Sequence, residues 1–418
     1  MTTLQRNWSP WVYFSATTTV VLSSYFAFNT YSVDPSYYFA PILLLAGVHA
    51  TLNFARQIYG GTEYSIKLPP AFGVLLRRAL TRYFVWLVII YGGFWLLRSS
   101  PFHTEPAYVA NWRFYEVFFQ LYLVAGLPYF CITLMCRASR SEDFYDPAIR
   151  IIHMLNQPAL RFMRGDSLRS VVRVFRNRYN RKVILNLVMR AYFIPVMLMQ
   201  VLGYVPYALN LHNAVFDTHD FVTILFWLVA VLWLIDLVNA GLAYLLESRW
   251  LENRSRSIDM TIIGWAVCLF CYLPLNNVTA AVFPFAPQLA INNANALIIP
   301  SNEFLIGLKI AEIILLSLHV YIDAGLGLSV ANITLKKLQT RGPYALIRHP
   351  GTTTKLLLWF VIAFGYNEFW TAKYLFGYLA WAALYVMRAL TEERHLRQYA
   401  EYRDYQQQVR YRFIPGVF

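Results

Sequence analysis

The sequence predicts an all-α, polytopic membrane protein, on three observations. Of 418 residues, 58% are apolar, 17% aromatic and only 14% charged, whereas a soluble domain carries about 25% charged residues. Apolar stretches recur at lengths close to the roughly 20 residues that a helix needs to cross a bilayer. Lys and Arg concentrate in alternate loops between those stretches, as expected when one side of a membrane retains positive charge.

In chain order, the apolar stretches lie at 11–31, 37–55, 83–98, 114–136, 183–209, 221–246, 261–283, 303–328, 353–367 and 372–390, giving about ten transmembrane helices. The opening MTTLQRNWSPW has a single Arg and no small-residue cleavage site, so the first span is expected to be retained. Pro195 and Pro206 are expected to kink the fifth span. The ninth is short and carries Lys355 near its start, which suggests one arm of a tight helical hairpin with the tenth.

The net charge of +14 is explained by topology. Basic residues gather in 56–82, 137–182, 247–257, 329–350 and the C-terminal tail, while the loops near Asp34, Asp217 to Asp220, 284–302 and 366–371 are nearly devoid of them. With ten spans every basic loop falls on one side, which predicts cytoplasmic N- and C-termini. The charge is thus read as facing membrane lipids, with no nucleic acid as partner. Loop 137–182 mixes Arg with Leu168, Val171, Val172, Val174 and Phe175, the pattern of an amphipathic helix on the inner leaflet. Such a helix either guides an anionic lipid substrate or holds the protein in register.

Of the four cysteines, Cys131, Cys136, Cys268 and Cys271, the last two form a CxxC inside an apolar span. No second pair or His cluster has zinc spacing, so no metal site and no disulfide are expected. Polar residues inside spans are costly and informative. Asp236 and Asn239 lie three apart on the sixth span. On the eighth, Lys309 and Glu312 are spaced to pair, and Glu312, His319 and Asp323 share one face. They either wall a polar cavity or hydrogen-bond between helices.

Two regions follow: an N-terminal region of about seven helices over 1–300, and a C-terminal region at 301–418. The latter runs through LKKLQTRGPYALIRHP, a helical hairpin, and RALTEERHLRQYAEYRDYQQQVRYRFIPGVF. A short hairpin brings Tyr344, Arg348 and His349 close to Arg388, Glu392 and Glu393. Arg388 and Glu392, four apart, share a helix face. The expected product is a polar pocket at the membrane surface, with aromatic walls from Tyr399, Tyr402 and Tyr405.

Leu338-Gln339-Thr340-Arg341-Gly342-Pro343-Tyr344, followed by Arg348-His349-Pro350, resembles the LVxxGPYxxxRHP signature of the isoprenylcysteine carboxyl methyltransferase family. Arg388 with Glu392-Glu393-x-x-Leu396 resembles its second signature, and Val409 through Pro415 its usual ending. The resemblance covers roughly 325–418. It implies an integral membrane methyltransferase using S-adenosyl-L-methionine on a lipidic or prenylated acceptor at the cytoplasmic face of a bacterial inner membrane or the endoplasmic reticulum. It further implies that Leu338, Gln339, Gly342, Tyr344, Arg348, His349, Pro350 and Glu392 line the cofactor pocket, and that Arg388 faces the acceptor. A carboxylate acceptor is already ionised at neutral pH and needs no base, and an Arg fork binds both its oxygens. An amine acceptor needs a base, for which His349 and Glu393 are the candidates. After Pro350 the chain reads Gly351-Thr352-Thr353-Thr354, where that family has Ser-Tyr-x-Gly.

Two other readings remain open. Membrane sterol reductases, which use NADPH, are similar in span number and in an ending like Val409-Arg410-Tyr411-Arg412-Phe413-Ile414-Pro415-Gly416. Pro350 and Glu392-Glu393 depart from their pattern. A non-enzymatic lipid-binding or transport protein is the third, suggested by Asp236, Lys309 and Glu312 within spans.

Overall fold

The structure is a computed structural model and describes residues 10–59, 72–104, 108–135, 147–245, 247, 253–285 and 296–417. The expectations for residues 1–9, the 60–71 loop, Cys136, 137–146 and 286–295 lie outside the described residues. The all-α class holds. In order the helices are α1 (Pro10–Tyr31), α2 (Ala40–Tyr59), α3 (Phe72–Ser99), α4 (Val109–Met135), α5 (Pro147–Met163), α6 (Leu168–Arg176) and α7 (Arg178–Thr218). There follow α8 (Phe221–Leu245), α9 (Ile262–Leu269), α10 (Leu275–Val282), α11 (Asn302–Leu326), α12 (Pro350–Phe364), α13 (Ala372–Leu396) and α14 (Ala400–Gln408). Among the described residues, five helices (α3, α4, α7, α8 and α11) are long and apolar enough to cross a membrane.

Several elements differ from expectation. Helix α3 begins at Phe72, ahead of its apolar stretch, because Arg77, Arg78 and Arg82 are good helix formers. Helix α7 runs 41 residues, about 60 Å, and both Pro195 and Pro206 lie inside it. The stretch 261–283 is not one helix. It forms two eight-residue helices, α9 and α10, each about 12 Å long, separated by turns that lead into Pro274, which disfavours helix in the residue before it. Ahead of α9 stands a feature absent from the sequence reading, a two-residue antiparallel ribbon of β1 (Ser257–Ile258) and β2 (Thr334–Leu335), with Ser257 opposite Leu335.

The chain divides into one unit of residues 1–54 and 196–418 and another of 55–195. The expected 301–418 region is therefore part of the first unit. In that unit α11 packs along α8 and also against α1 and α12. Tyr25 fastens α1: its hydroxyl donates to the Ala208 carbonyl at 3.1 Å and accepts from the Trp227 indole at 2.9 Å. Lys309 and Glu312 pair at 2.8 Å, both buried, as their spacing predicts. The hairpin forms, with α12 only 15 residues long. Tyr378 donates to the Leu356 carbonyl at 3.0 Å and the Trp359 ring meets Tyr385 edge-on at 4.9 Å.

The segment carrying α9 and α10 lies beside α13 of this hairpin. At one end Asp259 contacts Arg394; further along, Phe283 accepts from the Trp381 indole at 2.8 Å; beyond it Leu297 bridges Tyr366 at the hairpin tip. The broken helix thus runs alongside α13.

In the other unit, Tyr83 of α3 and Tyr122 of α4 stack at 5.4 Å, and the Tyr122 hydroxyl donates to the Tyr83 carbonyl at 2.8 Å. The basic 137–182 stretch contains α5 and α6 joined by a turn, with Phe162, Met163 and Leu168 more than 70% exposed. That surface suits a helix pair lying on lipid.

Candidate functional site

The chain brings its two C-terminal motifs together around one carboxylate. Glu393, on the last turn of α13, is 1% exposed. Its Oε1 accepts from Arg348 Nε at 2.7 Å and contacts His349 Nε2 at 3.2 Å. Its Oε2 accepts from Arg412 Nε at 3.1 Å, Arg397 Nη2 at 3.3 Å and Gln406 Nε2 at 3.3 Å. A buried carboxylate is tolerated only when its lone pairs are so filled. Burial alone pushes the Glu393 carboxyl up, but hydrogen bonds from His349 and Arg348, and their charges, outweigh it and hold the group at about 2.

Arg348 also ties down the C-terminal tail. Its Nη1 donates to the carbonyls of Val409 and Arg410, both at 2.8 Å. The backbone amides of Arg348 and His349 donate to Tyr411 and Arg412 at 3.0 and 2.9 Å, and the His349 ring stacks on Phe413 at 5.5 Å. The Arg-His pair, Glu393 and the tail are therefore one closed clamp. Pro350 starts α12 immediately after it, at a position where no backbone donor is needed.

Gly351, Thr353 and Thr354, after Pro350, each face a specific neighbour. Thr353 donates to the Phe413 carbonyl at 3.1 Å. A Cβ on Gly351 would sit 3.2 Å from Asp323 Oδ1, so glycine permits α11 to come close. Thr354 meets His319 Nδ1 at 3.0 Å. Gly351 and Thr354 are therefore fitted to the polar face of α11, and Thr353 to the tail.

Arg388 and Glu392 lie on a different face of α13. With Thr391 and His395 they line a cleft closed by Asp259, Gly264, Asn332, Ile333 and Thr334. The Arg388 guanidinium lies 5.0 Å from the Tyr385 ring centroid and 5.9 Å from that of Tyr272, and reaches the Tyr272 hydroxyl at 3.5 Å. Tyr272 accepts from Asn332 Nδ2 at 2.6 Å. Asp259 is held by Thr261, whose amide and hydroxyl both donate at 2.8 Å, and by Arg394 at 3.3 Å. Ser257 of the ribbon contacts His395 Nε2 at 2.9 Å.

The other expected pocket residues distribute as follows. Gln339 donates to the Gly325 carbonyl at 2.7 Å. Gly342, at φ +62°, turns the chain in a conformation that suits glycine. Tyr344 is half-buried; burial, then the Asp323 and Glu392 carboxylates and Tyr405, push its phenol well above its ordinary value. Tyr344 is thus within electrostatic reach of Glu392. Leu338 packs on a cluster of Leu335, Leu396, Tyr402, Tyr405 and Val409. Tyr402 and Tyr405, expected as pocket walls, are core residues instead, and Tyr405 donates to the Tyr344 carbonyl at 2.6 Å.

Sequence reasoning missed Asp259, Asn332 and Tyr272. They lie 60 to 136 positions away from Glu392-His395 in the chain, and the ribbon and the broken helix bring them in. The tail's role was signalled, since Val409 to Gly416 stood out as a motif. No family model, no curated protein and no solved structure matches the chain.

Proposed function

We propose that the chain is an integral membrane methyltransferase that uses S-adenosyl-L-methionine on a lipidic or prenylated acceptor bearing a carboxylate. The observation that carries this reading is Arg388. Its guanidinium faces the cleft over two aromatic rings with no carboxylate partner among the described residues. A fork so placed suits an acceptor carboxylate, and flanking rings strengthen its charge by excluding water.

The donor set fits the cofactor. Glu392 and Asp259 bring negative charge to the cleft, beside Arg388 and His395. That mixture suits a molecule carrying both an ammonium and a carboxylate, and it opposes the phosphates of NADPH. S-adenosyl-L-methionine supplies an electrophilic methyl group when bound. Glu392 would accept from its ammonium or ribose hydroxyls, and Tyr344 lies on the same side. Arg388 orients the acceptor oxygen, which is the main task when the nucleophile is already ionised. Glu393, Arg348 and His349 hold α13 and the tail in register behind the cleft, so they act as positioning residues.

The cleft belongs to the cytoplasmic face, with about ten crossings and both termini on that side. Arg256, Lys336, Arg341, Arg394, Arg397 and Arg412 gather at the ribbon end of the hairpin, whereas its tip offers only Glu368 and Lys373. The broken α9–α10 segment, running from ribbon to tip, supplies the seventh crossing.

Two measurements test the reading. Thermal unfolding of the purified protein is expected to shift upward with S-adenosylhomocysteine and not with NADPH; the reverse result overturns it. Labelled methyl from the cofactor is expected to enter a lipid or prenylated species of a membrane extract, and Arg388→Ala is expected to abolish that transfer.

A further inference from the structure

Beyond the cleft, α8 and α11 bury three ligand-type side chains against one another. Asp236 of α8 and His319 and Asp323 of α11 place a carboxylate oxygen, a ring nitrogen and a second carboxylate oxygen all within 4.8 Å. Asp236 is 6% exposed and His319 2%. Asp236 Oδ1 and His319 Nε2 have no hydrogen-bond partner. The Nε2 stands 3.8 Å from Asp323 Oδ2, too far for a hydrogen bond. Two facing carboxylates in a low-dielectric interior are costly without a cation or a shared proton between them.

The other ring nitrogen fixes the direction of the remaining lone pair. The Thr354 hydroxyl donates to the Pro350 carbonyl at 3.0 Å, so toward His319 it presents a lone pair and accepts from Nδ1–H at 3.0 Å. His319 Nε2 is then unprotonated and turns its lone pair toward two carboxylates. Three electron-rich atoms converge where a bound cation makes the arrangement favourable. A ring N–H held by an oxygen, with the opposite nitrogen free, is the usual posture of a metal-ligating histidine.

We propose that Asp236, His319 and Asp323 form a binding site for one divalent transition-series cation, Zn²⁺ in the first instance. One imidazole and two carboxylates suit Zn²⁺, Fe²⁺ or Mn²⁺ rather than the all-oxygen shells of Mg²⁺ and Ca²⁺. Metal bonds of about 2.1 Å require ligand atoms about 3.0 to 3.4 Å apart, so atoms now within 4.8 Å of one another close by up to about 1.8 Å on binding. The Asp323 side chain keeps 22% exposure, which gives the ion an entry and leaves coordination positions on that side. The cysteine spacing that argued against a metal does not bear on this site, whose ligands come from two helices. Nor does the site depend on methyl transfer: it draws on none of the cleft residues.

The test is metal content of the full-length protein, purified in detergent through a non-metal affinity tag and analysed by mass spectrometry before and after dialysis against Zn²⁺ or Mn²⁺. About one ion per chain is expected, with Asp236→Asn and His319→Gln losing it and Glu368→Gln, at the hairpin tip, keeping it. Thr354→Val removes the acceptor behind His319, together with the hydroxyl's bond to the Pro350 carbonyl, and keeps the side-chain shape. It is expected to weaken binding about 10- to 100-fold while the protein stays monodisperse on size exclusion. If the wild type binds no more metal than Asp236→Asn after dialysis, the proposal fails; Nε2 then carries the proton and the cluster is an ion-pair network. Unchanged metal content in both ligand variants overturns it equally.

Discussion

Glu393 and Arg388 lie five positions apart on α13 and do opposite work. Glu393 is sealed and saturated with donors, and its charge is worth keeping only in the folded protein. Its folded value of about 2 lies below its ordinary 4.5. The stabilisation it gives is therefore complete above about pH 4.5 and is lost as pH falls toward 2. Wild-type thermal stability is expected to drop across that window, while Glu393→Gln, already destabilised by about 3–5 kcal/mol at pH 7, shows a flatter profile there. Unfolding scans in detergent between pH 7 and 2.5 read both. Arg388 is the contrary case, because it holds no structural carboxylate among the described residues. Arg388→Ala is expected to lower methyl transfer at least about 100-fold with a melting temperature close to wild type. An equal loss of stability in that variant would make Arg388 a second structural anchor.

At the scale of elements, two glycines on the helices around the hairpin invite opposite outcomes. Gly377 of α13 faces the backbone carbonyl of Pro284, and an added Cβ there collides with it. Gly307 of α11 has nothing within 4 Å of such a Cβ. Gly377→Ala should destabilise by about 1–3 kcal/mol, whereas Gly307→Ala should gain up to about 1 kcal/mol from helix propensity. Thermal unfolding of the two variants side by side checks the pair. The same contrast shows what the sequence made legible. Helices α1, α8, α11 and α13 follow apolar stretches closely, since apolarity at bilayer length is a local property. The Arg348–Glu393 apposition was legible too, because a short hairpin leaves no alternative. The break at 270–274, the ribbon at 257–258 and 334–335, and Asp259 in the cleft were not. Each is fixed by contact with α13 or β2, which no local spacing encodes. Thr354 and Gly351 looked like departures from a motif; their partners, His319 and Asp323, lie on another helix.

Across the whole molecule, the two motif-bearing segments are not self-sufficient. Helix α11 supplies one wall of the region behind the motifs, yet its polar face is covered by α8 and α1. Lys309 and Glu312 are 5% exposed each and His319 2%, and Lys309 lies 4.3 Å from the Phe226 ring of α8. Lys336, from the loop after α11, donates to the Ala243 carbonyl on α8. A fragment of 301–418 contains both C-terminal motifs but lacks α8, α1, the strand β1 and the Asp259 and Gly264 side of the cleft. In a bilayer it would present several ionisable side chains to lipid, each costing about 2.5–3.5 kcal/mol at mid-depth. This fragment is therefore expected to aggregate or be degraded, and to show no stabilisation by S-adenosylhomocysteine, under conditions where the full chain elutes as a single species on fluorescence-detected size exclusion. A monodisperse, cofactor-stabilised fragment would assign α1 and α8 to some purpose other than completing the site. The packing of α8 on α11 makes the first outcome the expected one, and it gives these N-terminal spans a physical reason to accompany the C-terminal motifs.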